Sequence, residues 1–334
     1  MNNVLLHSTF CLPFNGDLEA TKSLIQNIGD CIYEFYGSDD LFRSGRLHSS
    51  YTGHFEESVQ YILSHGKRFN YLLNSVIIDD YIIRKKELIK HLDYLKELGV
   101  QSVTTSSPYF ISLLKERGFE ISTSLMQFID TEESVRYAQK LGYHRIILHE
   151  DSLKNIPKIK YLRSITSLPI EIIVNNGCLL NCPFRMTHCN CDGLSHPDFS
   201  LEMYQQLSSY AKQCKSFWGK NIEYFLKSSW VRPEELEKYR NLGINYFKFT
   251  GRTRPSEDNL KIFSIYATGE HSGYVFDYLK PNHDPVHKYN VKNIHNKDLD
   301  AFFDFFFQNS HGCNMKCSIC KHCENWANKI NKEL

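Results

Sequence analysis

The sequence predicts an α/β fold, a (β/α)8 barrel of the TIM type that carries a cysteine-rich C-terminal tail. Three observations predict it. Short apolar runs alternate with helical stretches that have one polar face, the pattern of a mainly parallel sheet covered by helices. Several helices end alike: LKELGV, LKERGFE, AQKLGYHR and YRNLGINY each put Lys or Arg in or near the last turn, then Gly, then a strand. Glycine closes a helix there because the left-handed conformation costs it nothing. The apolar runs between residues 31 and 250 number eight, the count that closes such a barrel.

The runs are, in order, 31–37, 69–73, 101–105, 121–125, 145–149, 171–175, 223–228 and 244–250, with 3–8 as a further candidate. Helical patterns fall at 84–97, 131–141, 201–213 and 233–241. An open doubly wound sheet is the alternative arrangement. No GxGxxG follows the first strand, so a dinucleotide fold has little support. The barrel is expected to occupy 1–269. Residues 270–334 read as an extension that packs on it, with a short amphipathic helix around 298–308.

Of 334 residues, 42% are hydrophobic and 23% charged, an ordinary globular balance able to bury a substantial core. Lys plus Arg is 39 and Asp plus Glu is 38. This near neutrality gives no support for strong nonspecific nucleic-acid binding. No apolar stretch approaches the length of a membrane-spanning helix, and MNNVLLHSTFCLPFNGD lacks the basic and long apolar parts of a secretory signal. The expected location is the cytoplasm, with no membrane partner.

Cysteine usage is the unusual feature. There are 11, and eight fall in two groups: Cys178, Cys182, Cys189 and Cys191, then Cys313, Cys317, Cys320 and Cys323. In a reducing compartment, clustered cysteines point to metal more than to disulfides. The first group follows the apolar run 170–174 through Asn175, Asn176 and Gly177, which places it at the strand ends where a barrel carries its active site. Cys189 and Cys191 are expected within loop reach. The tail spacing, x3 then x2 then x2, suits one or two [4Fe–4S] clusters, with tetrahedral zinc as the alternative. One cluster drawing on both groups and one cluster per group are both compatible with the spacing. Cys31 and Cys214 read as buried small hydrophobes.

Polar residues at other strand ends complete the candidate site. Glu150 ends RIILHE and is a candidate for acid–base work, or for capping the next helix. Arg185 and His188 lie between cluster cysteines and are placed with it as catalytic candidates. Arg43 and Arg46 follow the strand 31–37 and are candidates for an anionic substrate. Lys248 and Arg252 flank FKFTGRTR, and Trp230 and Arg232 are expected to end another strand; all four are substrate-binding candidates.

These stretches resemble the peptidase U32 family, which includes collagenase-like proteins. DCIYEFYGSDDLFRSGR is similar to its early strand and arginine-bearing loop. Residues 121–150 resemble its middle, and IEIIVNNGC resembles the strand leading to its first cluster cysteine, which falls on Cys178. The resemblance implies a barrel-like α/β domain and, in several members, a [4Fe–4S] cluster. Some relatives carry out oxygen-independent hydroxylation of a quinone precursor or of RNA bases; others are reported as proteases. CLLNCPFRMTHCNC is more compact than the family pattern, and the four-cysteine tail is not a standard element of it.

Three functions follow as expectations. The first is an iron–sulfur oxidoreductase or modifying enzyme acting on a small molecule or RNA, with a redox partner or a related U32-like subunit. The second is a protease, although no HExxH and no GxSxG is present. The third is a noncatalytic partner that holds a structural cluster or binds RNA.

Overall fold

Eight short parallel strands close on one another: β1 Phe10–Pro13, β2 Ile32–Gly37, β3 Arg68–Leu73, β4 Ser102–Thr105, β5 Glu120–Thr123, β6 Ile146–Ile147, β7 Ile170–Ile173 and β8 Tyr246–Lys248. The order around the sheet is β5-β4-β3-β2-β1-β8-β7-β6. A parallel bridge between Ser122 and Arg145 joins β5 to β6 and completes the ring. This is a (β/α)8 TIM-like barrel surrounded by helices. The computed structural model describes residues 7–39, 41–45, 54–194, 221–279 and 294–333. Arg46, Cys214 and the helical pattern at 201–213 lie outside the described residues.

Period-two alternation sorts the strand residues. Phe35, Phe69, Tyr71, Val103, Ile172 and Phe247 join the large core beneath the helices. On the inward face, Cys11, Tyr36 and Leu72 make one small cluster and Leu125, Ile147 and Ile173 another. Tail residues Ile294, Phe302, Phe303, Phe306, Ala327 and Ile330 belong to the same large core as the barrel. No helix among the described residues is long and apolar enough to cross a membrane.

The strand count matches the sequence expectation, but one member differs. IEYFLK is a helix, Ile222–Lys227, not a strand. Asn221 caps it by accepting from the Glu223 amide at 2.8 Å. Ile222, Phe225 and Leu226 are its buried face at helical spacing, and Glu223 pairs with Lys227 one turn on. The missing strand is FCLP, whose four residues are all buried. The single amphipathic helix expected around 298–308 is instead a 3-10 turn, Asn296–Leu299, and a short α-helix, Asp304–Gln308.

Charge fills the barrel interior. Arg145 Nη2 meets Glu34 Oε1 at 2.7 Å and Nη1 meets Glu171 Oε2 at 3.1 Å. Lys248 Nζ lies 3.0 Å from Glu171 Oε1. Arg145 also sits over the stacked rings of Tyr33 and Tyr246. Lys248 is therefore an interior residue, committed to Glu171 and to the Tyr36 ring 3.9 Å away, and not part of a basic strand end with Arg252. Cys11, Glu34 and Glu171 each offer a ligand atom within 4.8 Å of the others. Their two carboxylates are already balanced by two buried cations, which makes the set an ion-pair network.

Burial pushes the Glu171 carboxyl up, but Lys248 and Arg145 outweigh it and hold the group below its usual range. A carboxyl lowered on folding adds stability above its unfolded value, and that stability is lost as pH falls through the folded one. Arg145→Met leaves two carboxylates buried with one cation. The expected loss is about 3–5 kcal/mol, read as a drop in denaturant midpoint with an unchanged slope; a midpoint within error of wild type contradicts the network's role.

Candidate active face and metal centre

The strand ends of β6 and β7 build the face. After β6 the chain turns through a 3-10 segment, Glu150–Ser152. After β7 it runs through Asn175 and Asn176 into the first cysteine loop. Asn175 is pinned by the Thr250 amide, which donates to its Oδ1 at 2.7 Å. Asn176 donates to Glu150, and the Cys178 thiol donates to Asn176 Oδ1 at 3.4 Å.

Arg185 begins the helix Arg185–Leu194 and gathers this region. Its Nη1 stands 3.0 Å from Glu150 Oε1 and 2.7 Å from His149 Nε2. Its Nη2 donates to Asp151 Oδ1 at 3.2 Å and to the Leu179 carbonyl at 3.1 Å. Arginine stays protonated, so Nε2 of His149 is the acceptor and Nδ1 carries the proton, 3.5 Å from Asp151 Oδ2. Burial, and next Arg185, push the His149 pKa down to about 4. A cleft of about 310 Å³ opens here, lined by Phe128, Asp130, His149, Asp151, Cys182 and Arg185 among others. Phe128 takes a left-handed backbone and lays its ring 4.7 Å from that of His149.

The tail cysteines form a second feature beside the first. Cys313, Cys317, Cys320 and Cys323 all line one small cavity, with Lys154, Lys227 and Leu180. Cys317–Cys320 is a single helical turn closed by Lys321 in the left-handed conformation. The Cys313 amide donates to the Lys154 carbonyl at 2.9 Å. His322 lies stacked on Phe305 at 3.9 Å and, through Nε2, bonds the Phe302 carbonyl, which orients the start of the last helix and Cys323 with it. Asn181 of the first cysteine loop reaches Met315 Sδ at 3.0 Å. Leu180 faces the tail cavity, while Asn181, Cys182 and Pro183 face the cleft. One loop therefore divides the two.

The sulfur spacing tests which metal fits. Among the described residues, no three tail sulfurs lie within 4.8 Å of one another. Four thiolates on one zinc would stand about 3.8 Å apart, from a Zn–S bond of about 2.3 Å. On a cubane each thiolate binds a different iron, and the sulfurs stand farther apart. Four cysteines on one cavity are a donor set that fits a metal–sulfur centre, a cubane or a tetrahedral single ion. Without metal, burial raises the Cys313 thiol and pushes Cys323 up to about 11.

The other expected site residues divide. Glu150 and Arg185 meet directly. His188 lies on the same helix as Arg185, one turn on, and is not among the residues lining the cleft. Cys189 and Cys191 are not in a loop; both are buried on that helix, two residues apart and so on different faces. Arg252 is buried, with Nη2 donating to Ser44 Oγ at 3.0 Å and Nη1 3.4 Å from Ser38 Oγ. Arg43 pairs with Asp79 at 3.0 Å. Trp230 and Arg232 follow a helix, not a strand. Trp230 is buried and donates to the Phe225 carbonyl; Arg232 is spent on both Glu235 oxygens, at 2.8 and 2.9 Å, and on Asp300. Reasoning from sequence missed His149, Asp151, Asp130 and Lys154. HEDSLK directly after an apolar run was the available signal for three of them.

The model of peptidase family U32 matches residues 16–314. A curated relative from Methanocaldococcus jannaschii, described as "Uncharacterized protease MJ1657", is 26% identical over 345 residues, covering 97% of this chain and 99% of its own. The solved structure of the U32 peptidase Mk0906 superposes with a TM-score of 0.54 at 15% identity, covering 74% of this chain and 94% of that one. That likeness is one of fold.

The depressed His149 pKa has a measurable consequence. Unfolded histidine titrates near about 6.5, so between that pH and about 4 the unfolded chain binds the extra proton. Stability therefore falls as pH drops through this window, by up to about 1.4 kcal/mol per pH unit. Chemical denaturation of wild type and His149→Asn across the window checks it: the slope should flatten in the variant, and an unchanged slope rules out a neutral buried His149.

Proposed function

Because the chain belongs to peptidase family U32 and sets a four-cysteine cavity beside a polar cleft at its barrel mouth, we propose that it is a metal–sulfur enzyme. In this reading Cys313, Cys317, Cys320 and Cys323 hold one [4Fe–4S] cluster, and the substrate binds in the cleft lined by His149, Asp151, Cys182 and Arg185. The observation that carries it is the convergence of all four tail cysteines on one cavity.

The bound cluster would supply one-electron chemistry. The protein residues do the rest. Arg185 fixes Glu150, Asp151 and His149 in one array, so their oxygens and ring present a preformed polar wall. Glu150, nearly inaccessible and held by Asn176 and Arg185, stands behind that wall and anchors the Arg185 guanidinium. The size of the cleft suits a small molecule; a single base extruded from RNA falls in the same range. A redox partner would exchange electrons with the cluster. The reaction class is redox modification of that substrate; in the specific form, oxygen-independent hydroxylation, the substrate carbon loses two electrons and a C–H bond, and either water supplies the oxygen while the partner accepts the electrons or an oxygenated donor supplies it and is itself reduced.

A second reading, peptide hydrolysis, is favoured by the descriptions of the relatives and by Cys182, His149 and Asp151 lining one cleft. One experiment separates the two. Protein purified without oxygen should contain about four irons and four sulfides per chain. Cys317→Ser should lose them and Cys182→Ser keep them. Zinc without sulfide, or full iron in Cys317→Ser, overturns the first reading. Hydrolysis of an unfolded protein substrate that disappears in Cys182→Ser, with metal content unchanged, establishes the second.

A further inference from the structure

Lys154 has a setting that neither the cleft nor the fold requires. Its side chain is buried beneath the tail cavity. The ammonium donates to the Ser228 carbonyl at 2.6 Å and to that of Leu226. Four aromatic rings, those of Trp230, Phe302, Phe303 and Phe306, surround it at 5.4–5.7 Å. Among the described residues no carboxylate pairs with it; burial pushes its pKa down to about 8, and the groups that act against this are the tail sulfurs of Cys323 and Cys313. An ammonium taken out of water costs several kcal/mol unless a counter-charge meets it. Carbonyls and ring faces offset part of that cost, but they supply no net negative charge.

We propose that Lys154 is a built-in counter-cation for an anionic metal–thiolate centre on the tail cysteines, and that its fixed charge sets both the binding and the reduction potential of that centre. The inference rests on the metal–sulfur reading above. Its physical basis is the charge of the centre: four thiolates on a cubane leave a net negative group, and one-electron reduction makes it more negative still. A cation buried against it, in a low dielectric and screened by little solvent, favours binding and favours the reduced state over the oxidised one. Lys227 also lines the cavity but is already paired with Glu223, so the uncompensated charge is that of Lys154.

The test is Lys154→Met, which keeps length and ring contacts and removes the charge. Three measurements are made on the full chain, loaded with iron and sulfide and after metal removal. In the loaded protein the ratio of reduced to oxidised cluster at fixed potential should fall at least tenfold, equivalent to about 59 mV for one electron. In the metal-free protein the change in thermal midpoint gives the effect of the lost carbonyl contacts and altered packing alone. In the loaded protein the rise in midpoint that metal brings should shrink. A packing role alone would move the loaded and metal-free forms the same way, and that result, or an unchanged potential, overturns the proposal. If Lys154→Met fails to fold in both forms, Lys154→Gln, which keeps a donor for the two carbonyls and drops the charge, takes its place with the same outcomes. Wild type that takes up zinc in place of iron and sulfide sinks the iron–sulfur reading alone. Lys154 is then judged by zinc affinity against a chromophoric chelator: a tenfold loss in Lys154→Met supports the counter-cation and equal affinity overturns it. Wild type that binds neither metal ends both.

Discussion

One backbone contact determines where the tail stands relative to the barrel: the Cys313 amide on the Lys154 carbonyl, 2.9 Å apart. The residue before it, Gly312, has a left-handed backbone, and a Cβ there would fall 2.6 Å from Pro157 Cδ and 3.0 Å from the Ile156 nitrogen. Only a glycine lets the tail press main chain against main chain at this point. The stretch it presses on is the one that leaves β6. Glu150 and Asp151 stand at one end of that stretch, both on Arg185 and Asp151 lining the cleft; Lys154 stands at the other, under the cysteines. Eight consecutive residues from His149 to Ile156 thus fix both features at once, on the C-terminal side of the barrel where strand ends and loops converge.

Buried charge follows from this arrangement and separates structural from functional cations. Arg145 and Lys248 lie inside the barrel with Glu34 and Glu171, two against two, in a ring of strands that gives them no exit to water. Arg232 is enclosed by Glu235 and Asp300. Arg185 is matched by Glu150 and Asp151 but borders an open cleft, so its partners remain able to meet a ligand. Lys154 alone of these five faces sulfur in place of carboxylate. The general rule that a buried ion is paired holds at four positions through carboxylates; at the fifth the contacts are two carbonyls and four ring faces, with the tail cysteines lining the same cavity.

Much of the barrel was legible because the helix–Gly–strand junctions announce themselves: Gly99, Gly118, Gly142 and Gly243 all adopt positive φ. The first strand was not, because FCLP is four residues with a proline and no room for alternation to show. IEYFLK misleads for the same reason. In six residues a helical face at i, i+3 and i+4 and a buried strand have nearly the same apolar content, and only the Asn cap and the Glu–Lys pair one turn apart distinguish them. That single misassignment placed Trp230 and Arg232 at a strand end that does not exist. The interior network had a readable signal, since Glu34, Glu171 and Lys248 interrupt otherwise apolar runs; a charge there in a strand covered on both faces must find a partner inside. The tail spacing pointed to metal, whereas the position of Lys154 beneath it depends on chain packing that no local pattern encodes.

The electrostatics also bear on which chemistry the cleft can support. A cysteine nucleophile needs a neighbouring base with a free lone pair aimed at the thiol. His149 has its Nε2 lone pair taken by the Arg185 guanidinium and its Nδ1 proton turned toward Asp151, and with a pKa near 4 it is a poor base at neutral pH. Activating Cys182 through His149 would require Arg185 to leave two carboxylates, a carbonyl and the imidazole together. Redox work asks less of this array. A substrate in the cleft needs oriented polar groups, which Arg185 secures by holding Asp151 and His149 in place. On the redox reading proposed above, the same contacts would hold the cleft fixed while charge changed a loop away; on the hydrolytic reading, the base for Cys182 must be a group other than His149 as it stands here.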